Sequence, residues 1–595
     1  MKCNYQLLTA IISGAIASSL CAPAVTAQQQ DQRVIEEIVV TATQRERSVQ
    51  DIPISVNLLS SEELEMAGVT DVEGLNQVAP TFYMTSTTSE TIGTTARIRG
   101  VGTQGNNPGL ESAVGIFIDG VYRNRTAVGF TDLGRIERIE VLRGPQGTLF
   151  GRNTSAGLVH VITQRPAFNE SLGYIDLSAG NYNFFRVNGG YSTGTEDIAA
   201  GIDFTYTERD GFFEDDVLTG DEFNTRDRYG VRGQILFEPT DELNVRLIAD
   251  YAERDEQCCA AVYTEKGART SFAIEALDPT VQLTSDPSDP FERETYTTPG
   301  RDYQTDVEEY GVSGQVDWSL GDIQLTSITA YRDWEAMNAG DLDYSGGDIL
   351  YRDTQDFVQQ FQTFTQEFRL NGQFNDGRID WLVGVFYGDE ELNLTAATKV
   401  GNDYQEFSEN LFGLFAGLAP APISLGFGPA GGDGANDNFT TETDSLAFFT
   451  HNTWTPMDAL ELTLGLRWTS EEKDLDASIA TVGSSCPIVL AAGGFAGDGS
   501  PMTTIVAPAL DPAFYALYCL GGVLNSTLDG NYTANRDEED VSGTVAASYY
   551  ITDQLMAFVS YANGYKSGGF NLDRSGLDPN TVLGDPGFFG VDRDV

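Results

Sequence analysis

At 595 residues with a formal charge of −53, the chain is too long for one ordinary core, so two or more units are expected. The charge excludes nucleic acid as a partner, because a field of this sign repels phosphate backbones. It is also unevenly placed: residues 28–166 carry 16 acidic and 12 basic side chains, all of the basic ones Arg, whereas 72 acidic and 22 basic residues follow position 166. The simple reading is solubility of long loops in a salty medium, where screening removes the self-repulsion; the functional reading is attraction of cations.

Residues 1–27 read as a signal peptide: Lys2 gives a basic start, Leu7 to Leu20 a short apolar run, and Val25-Thr26-Ala27 a small-residue cleavage site. Cys21 lacks the residues that would mark a lipoprotein. No later run reaches the eighteen or so apolar residues of a spanning helix. An exported chain of this kind is secreted, periplasmic, or a membrane β-barrel. Residues 28–50 form a polar arm with one apolar patch, Ile38-Val39-Val40.

Residues 51–166 read as a small α/β unit. Ile54, Val56 and Leu58 alternate as a strand, and Ser60/Glu63 and Thr70/Glu73 are capping boxes for helices over Ser61–Ala67 and Asp71–Val78. Further strands are expected at Ala96–Gly100, Ala113–Asp119, Ile136–Arg143 and Leu158–Thr163. The glycine-rich stretch Gly144 to Gly151 lacks the spacing and the Lys of a phosphate loop, so it reads as a packed tight turn.

From about 170 the pattern has period two. Ile202, Phe204 and Tyr206 alternate with Asp203, Thr205 and Thr207; Leu462, Leu464, Leu466 and Trp468 alternate with Thr463, Gly465 and Arg467. One apolar and one polar face over ten or more residues suits a lipid-facing strand with a wet lumen. About thirteen strands are expected, near 172–182, 184–194, 197–208, 226–237, 240–256, 302–319, 322–335, 352–370, 377–392, 439–454, 459–472, 535–550 and 554–565. Short turns at Pro239-Thr240-Asp241, Pro456-Met457-Asp458 and Thr552-Asp553 follow even-numbered strands, while the long loops, at about 257–301, 393–438 and 473–534, follow odd-numbered ones. Short turns on one side and long loops on the other are the two-sidedness of outer-membrane barrels. An odd strand count leaves an open edge, so further C-terminal strands are expected beyond Val595.

Four cysteines remain after the signal segment, and they allow three pairings. A Cys486–Cys519 bridge stapling one loop is preferred, with Cys258–Cys259 as a vicinal pair. No CxxC, histidine cluster or Ser/His/Asp set is readable, so no metal, no cofactor and no enzymatic chemistry are expected.

Glu36-Glu37-Ile38-Val39-Val40-Thr41-Ala42 resembles a TonB box, the strand-forming segment that the energy-transducing protein TonB pulls in TonB-dependent outer-membrane receptors. Residues 48–166 resemble the plug domain of that family. The likeness rests on Ile98-Arg99-Gly100-Val101, on Val114 through Asp119-Gly120-Val121, on Ile136 through Arg143-Gly144-Pro145, and on Gly147 to Gly157 including Gly151. His160 stands where the family usually has Asn. Gln366 to Leu370 and Tyr561 to Phe570 carry the likeness into the barrel. The resemblance implies a transmembrane antiparallel barrel, here about 13 of 22 strands over residues 167–595, with an α/β plug in its lumen. It implies residence in the outer-membrane lipid of a Gram-negative bacterium, TonB as partner, and import of a scarce nutrient, by default a ferric siderophore. Cobalamin, oligosaccharides and aromatic compounds stay open, as does a passive porin. Arg99 and Arg143 belong to motifs whose arginines tie plug to barrel carboxylates, and Glu367, turned into the lumen by Phe364, Phe368 and Leu370, is the candidate partner.

Overall fold

The computed structural model describes residues 39–45, 47–69, 74–86, 93–103, 107–124, 134–215, 217–415, 428–483, 485–486, 517–520, 523–552, 555–574 and 590–591. The signal segment, Glu36 to Ile38 of the TonB-box resemblance and the Thr70/Glu73 capping box lie outside them. Residues 40–595 pack as one compact unit.

The N-terminal domain is built on a five-stranded sheet in the order Ser55–Ser60, Ile136–Arg143, Gly157–Thr163, Val114–Ile118, Val121–Arg123. Gly157–Thr163 is its centre, buried along its whole length, parallel to Val114–Ile118 and antiparallel to Ile136–Arg143. A strand buried on both faces reads as a continuous apolar run, which Leu158-Val159-His160-Val161-Ile162 is apart from the histidine. The Ser60/Glu63 capping box is present at the helix Ser61–Met66, each side chain taking the other's backbone N–H. Residues Gly147–Phe150 make one helical turn, and a side chain on Gly147 would meet Ser542 and Gly564 at 2.9–3.0 Å, so the glycine stretch is a close-packed contact with the barrel.

One expectation needs correcting. The arm placed at 28–50 is packed from Val40 onward: Val40 and Ala42 are 0 % exposed and join Ile52, Leu142, Leu149 and Leu158 in one apolar cluster. The alternating Val40–Ala42 segment finds a core to bury against, and that outweighs the polarity of its neighbours.

Among the described residues the barrel is a single antiparallel sheet whose main path has thirteen strands, running from Ser171–Ala179 to Leu555–Ala562. Its tight turns sit at the positions the sequence marks, with Thr240 paired to Leu243, Met457 to Leu460 and Thr552 to Leu555. The long connections, 258–303, 401–433 and 480–529, all follow odd-numbered strands on the path.

Several strands run well past their expected ends: Ile379–Val400, Gly434–Met457, Leu460–Ile479 and Gly530–Thr552 have 20 to 24 residues, where a bilayer needs about 9–11. The extension has a recognisable chemistry. In Leu460–Ile479 the outward residues are Leu464, Leu466 and Trp468, then Glu472, Asp474 and Asp476; the inward ones are Thr463 and Arg467, then Leu475, Ala477 and Ile479. Neighbouring strands invert at the same level, with Leu446 and Phe448 outward but Phe439 inward, and Val383 and Tyr387 outward but Leu392 and Leu394 inward. Lipid demands apolar atoms outside; above it water demands the reverse, and the hydrogen-bonded ladder continues through the change. Expecting one polarity throughout cut the strands short.

Beyond this wall the long loops share an apolar core of Ile274, Leu283, Ile349, Tyr404, Phe407, Leu411 and Leu524 around Cys486 and Cys519. These two cysteines form a disulfide of S–S 2.07 Å, and Cys258 is bonded to Cys259. The Cys486–Cys519 bridge spans a sequence separation of 33. Chain entropy for such a loop amounts to about 4 kcal/mol. Cys486→Ser is therefore expected to make the 480–529 connection protease-sensitive while the barrel stays intact; cleavage at the wild-type rate would contradict this.

Candidate functional site

Among the described residues, the N-terminal domain is held to the barrel wall by three groups of buried or half-buried charges and one further pair. The first is built on a hairpin turn. Ile118 pairs with Val121, so Asp119-Gly120 is a two-residue turn, and both residues have positive φ (+49° and +80°), the geometry Asp-Gly favours. The turn points Asp119 at the wall. Its carboxylate accepts hydrogen bonds from Thr163 N–H (3.0 Å) and Oγ1 (2.8 Å), from Arg246 Nη1 (3.1 Å) and from Arg232. Arg232 and Arg246 come from adjacent barrel strands and are almost fully buried. Burial alone would raise the Asp119 carboxyl; Arg246, Arg232 and the Thr163 hydrogen bonds together hold it below the usual carboxylate range.

The second group centres on Arg152, which follows the Gly147–Phe150 helical turn. Its guanidinium meets Glu471 (2.6 Å), Glu111 (3.2 Å) and Glu390 (3.6 Å), and Lys473 Nζ bonds Glu111 at 2.8 Å. Two cations thus face three carboxylates, of which Glu390 and Glu471 belong to the barrel. Burial opposes the charge on Arg152, but Glu471, Glu111 and Glu390 raise its pKa well above the ordinary value. A strap after the strand Leu555–Ala562 closes the site: Tyr565 Oη donates to Glu471 (2.9 Å), Ser567 N–H to Asn153 (3.1 Å), and Lys473 to the Gly568 carbonyl (2.9 Å).

The third group lies next to the TonB-box resemblance. Arg47 forks onto Glu461 (3.1 and 2.9 Å), Arg45 approaches Asp380 at 3.4 Å, and Arg369 donates to Gln44. Thr41 N–H donates to the Glu140 carboxylate at 3.0 Å, and Glu140 is itself 0 % exposed. A further pair, Arg123 with Glu309 at 2.9 Å, holds the plug elsewhere on the wall.

A domain clasped inside an inverted-polarity barrel is one architecture with one set of relatives. Residues 48–158 match the family described as TonB-dependent Receptor Plug Domain, and residues 261–588 match TonB dependent receptor-like, beta-barrel. The chain belongs to the TonB-dependent receptors. It is 32 % identical over 172 residues to the pesticin receptor of Yersinia pestis, covering 28 % of this chain and 24 % of that protein. To the vitamin B12 transporter BtuB of Vibrio vulnificus it is 27 % identical over 229 residues, 37 % of this chain and 35 % of that one. Among solved structures, the ferric yersiniabactin uptake receptor FyuA from Yersinia pestis superposes with a TM-score of 0.63 at 16 % identity, over 87 % of this chain and 66 % of that one. The siderophore receptor PiuA from Acinetobacter baumannii gives 0.57 at 16 %, with the same coverage. The chain thus spans just under two-thirds of the length of these solved receptors, and its matched stretch spans about a quarter of the pesticin receptor. As a TonB-dependent receptor it resides in the outer membrane of a Gram-negative bacterium.

The receptor's sequence-predicted contacts fall elsewhere than expected. Arg99 and Gly100 occupy a hairpin turn like that of Asp119-Gly120, with φ of +55° and +80°, but Arg99 is exposed, and its N–H donates to the Thr81 carbonyl at 2.8 Å. Arg143 is half-buried and reaches the Val56 carbonyl at 3.5 Å. Glu367 does face the lumen but pairs with Arg369, two residues along its own strand, at 2.9 Å. Neither arginine meets Glu367. Clasping a plug arginine with wall carboxylates is achieved by Arg45, Arg47, Arg123 and Arg152, while at Asp119 the signs are reversed. Side-chain parity offered a signal for the wall partners: once Leu464 and Leu466 face lipid, Arg467, Glu471 and Lys473 must face inward.

Proposed function

We propose that this receptor is an energised importer, which binds a scarce ligand on its long-loop side and passes it inward when TonB pulls on Glu36 to Ala42. The observation that carries this reading is the clasp itself. Breaking one partner of a buried ion pair costs about 3–5 kcal/mol, and the plug holds several. Spontaneous opening is therefore rare, and opening on demand needs external work. A passive porin has no use for such a lock.

A ferric siderophore is the preferred ligand, supported by the likeness in fold to a ferric yersiniabactin uptake receptor and a siderophore receptor. The B12 transporter relative keeps cobalamin as the alternative.

Deleting residues 36–42 from the full-length receptor should abolish uptake of radiolabelled ferric siderophore while leaving surface binding unchanged. Uptake that survives the deletion overturns the energised reading in favour of passive passage.

A further inference from the structure

His160 is a polar residue in the middle of the plug's fully buried central strand, and none of the clasps described above uses it. Its two ring nitrogens face two different parts of the machine. Gly120 N–H donates to Nε2 at 3.2 Å, which makes Nε2 the acceptor and leaves the proton on Nδ1. Nδ1 lies 3.4 Å from Thr41 Oγ1. The Thr41 hydroxyl in turn donates to Glu140, the residue directly across the sheet from His160. An unbroken chain of hydrogen bonds therefore runs from Glu140 through Thr41 and His160 to Gly120. Gly120 adjoins Asp119, the carboxylate gripped by Arg232 and Arg246.

We propose that His160 is a positioning residue that couples the docked Thr41 segment to the Asp119 clasp, and that undocking of that segment is linked to uptake of a proton by His160. The coupling rests on the energised-importer reading and adds to it a means by which pulling at one end loosens the other. While Thr41 is docked the imidazole is neutral, since Nε2 must accept from Gly120. When Thr41 leaves, water reaches the ring beside the Glu140 carboxylate, and the imidazolium becomes accessible. An imidazolium has no lone pair for Gly120 N–H, so protonation removes one support of the turn that presents Asp119.

The charged groups facing His160 are Glu140 and Arg138 on the adjacent strand, Asp119 on the turn and Arg369 on the barrel wall; Phe117 and Phe150 pack against the ring edge-on at 6.4 and 6.3 Å. In the docked state burial is the largest influence and lowers the His160 pKa, while Glu140 and Asp119 oppose it. A base whose pKa is depressed only when docked favours undocking as pH falls through its undocked value, about 6.5.

The test follows the mobile fraction of a nitroxide at Ile38→Cys in full-length receptor in outer-membrane vesicles, from pH 8 to pH 5. The undocked-to-docked ratio should rise about tenfold across this range. His160→Gln retains an acceptor and a donor but does not titrate, and should flatten the profile at a low undocked fraction. His160→Ala should give a high undocked fraction at every pH, and a raised leak conductance in planar bilayers. A flat wild-type profile, or a slope that persists in His160→Gln, overturns the proposal. If such a result accompanies loss of uptake on deleting residues 36–42, the importer reading stands and only the His160 coupling fails.

Discussion

Arg152→Ala is expected to weaken plug retention more than any substitution at a sequence-predicted contact. It takes from Glu111, Glu390 and Glu471 the guanidinium they share, in a site from which water is largely excluded. Removing one partner of a buried charge cluster costs about 3–5 kcal/mol, because the surviving charges stay desolvated. The midpoint of urea-induced plug release from full-length receptor, read by a fluorophore on the plug, should fall accordingly. Arg152→Lys should recover only part of the loss, since an ammonium cannot fork as the guanidinium does, with one nitrogen on Glu471 and Glu111 and the other toward Glu390. Arg99→Ala serves as the internal control: its side chain is exposed, and the expected effect is within about 0.5 kcal/mol. Equal midpoints for Arg152→Ala and Arg99→Ala would contradict the assignment of the clasp.

Asp119→Asn is expected to give the larger leak. The substitution keeps the shape and the turn but takes from Arg232 and Arg246, both nearly fully buried, the one carboxylate that they share. The cost is again about 3–5 kcal/mol, and open events in planar bilayers should become frequent where the wild type is closed. The pH dependence distinguishes this clasp from the His160 chain. An acid whose folded pKa is depressed contributes stability above its unfolded value, about 3.9, and loses it as pH falls below that. Titration of Asp119 itself therefore leaves closure unchanged from pH 8 to about 5, and any change over that range comes through His160. Leak that rises steadily between pH 8 and 5 in the His160→Gln variant would place the titrating group elsewhere.

Much of the architecture was legible because a barrel is periodic. Parity along Leu462 to Trp468 assigns one face to lipid, and Asp-containing turns before Leu243, Leu460 and Leu555 fix where strands reverse. The upper strands were missed for a physical reason. Their apolar residues change phase, from Leu466 and Trp468 outward to Leu475 and Ala477 inward, because the solvent outside changes from lipid to water. A reading that allowed one phase reversal per strand would have found both the extra length and the level of the membrane surface.

The clasp is a different case. Arg99-Gly100 and Asp119-Gly120 are the same local object, a two-residue turn with two positive φ values joining short antiparallel strands. Local sequence fixes both turns equally well. Only the packing of the sheet decides that one lies exposed while the other meets Arg232 and Arg246 on the wall. The sequence by itself determined the periodic features: the lipid-facing strands, the short-turn side, the capped helix and the plug motifs, all set by neighbours within a few positions. The tertiary structure decided which charges meet, because residues more than a hundred positions apart become partners only when one domain is nested inside another. That nesting gave Asp119, Arg152 and His160 their roles and withheld one from Arg99.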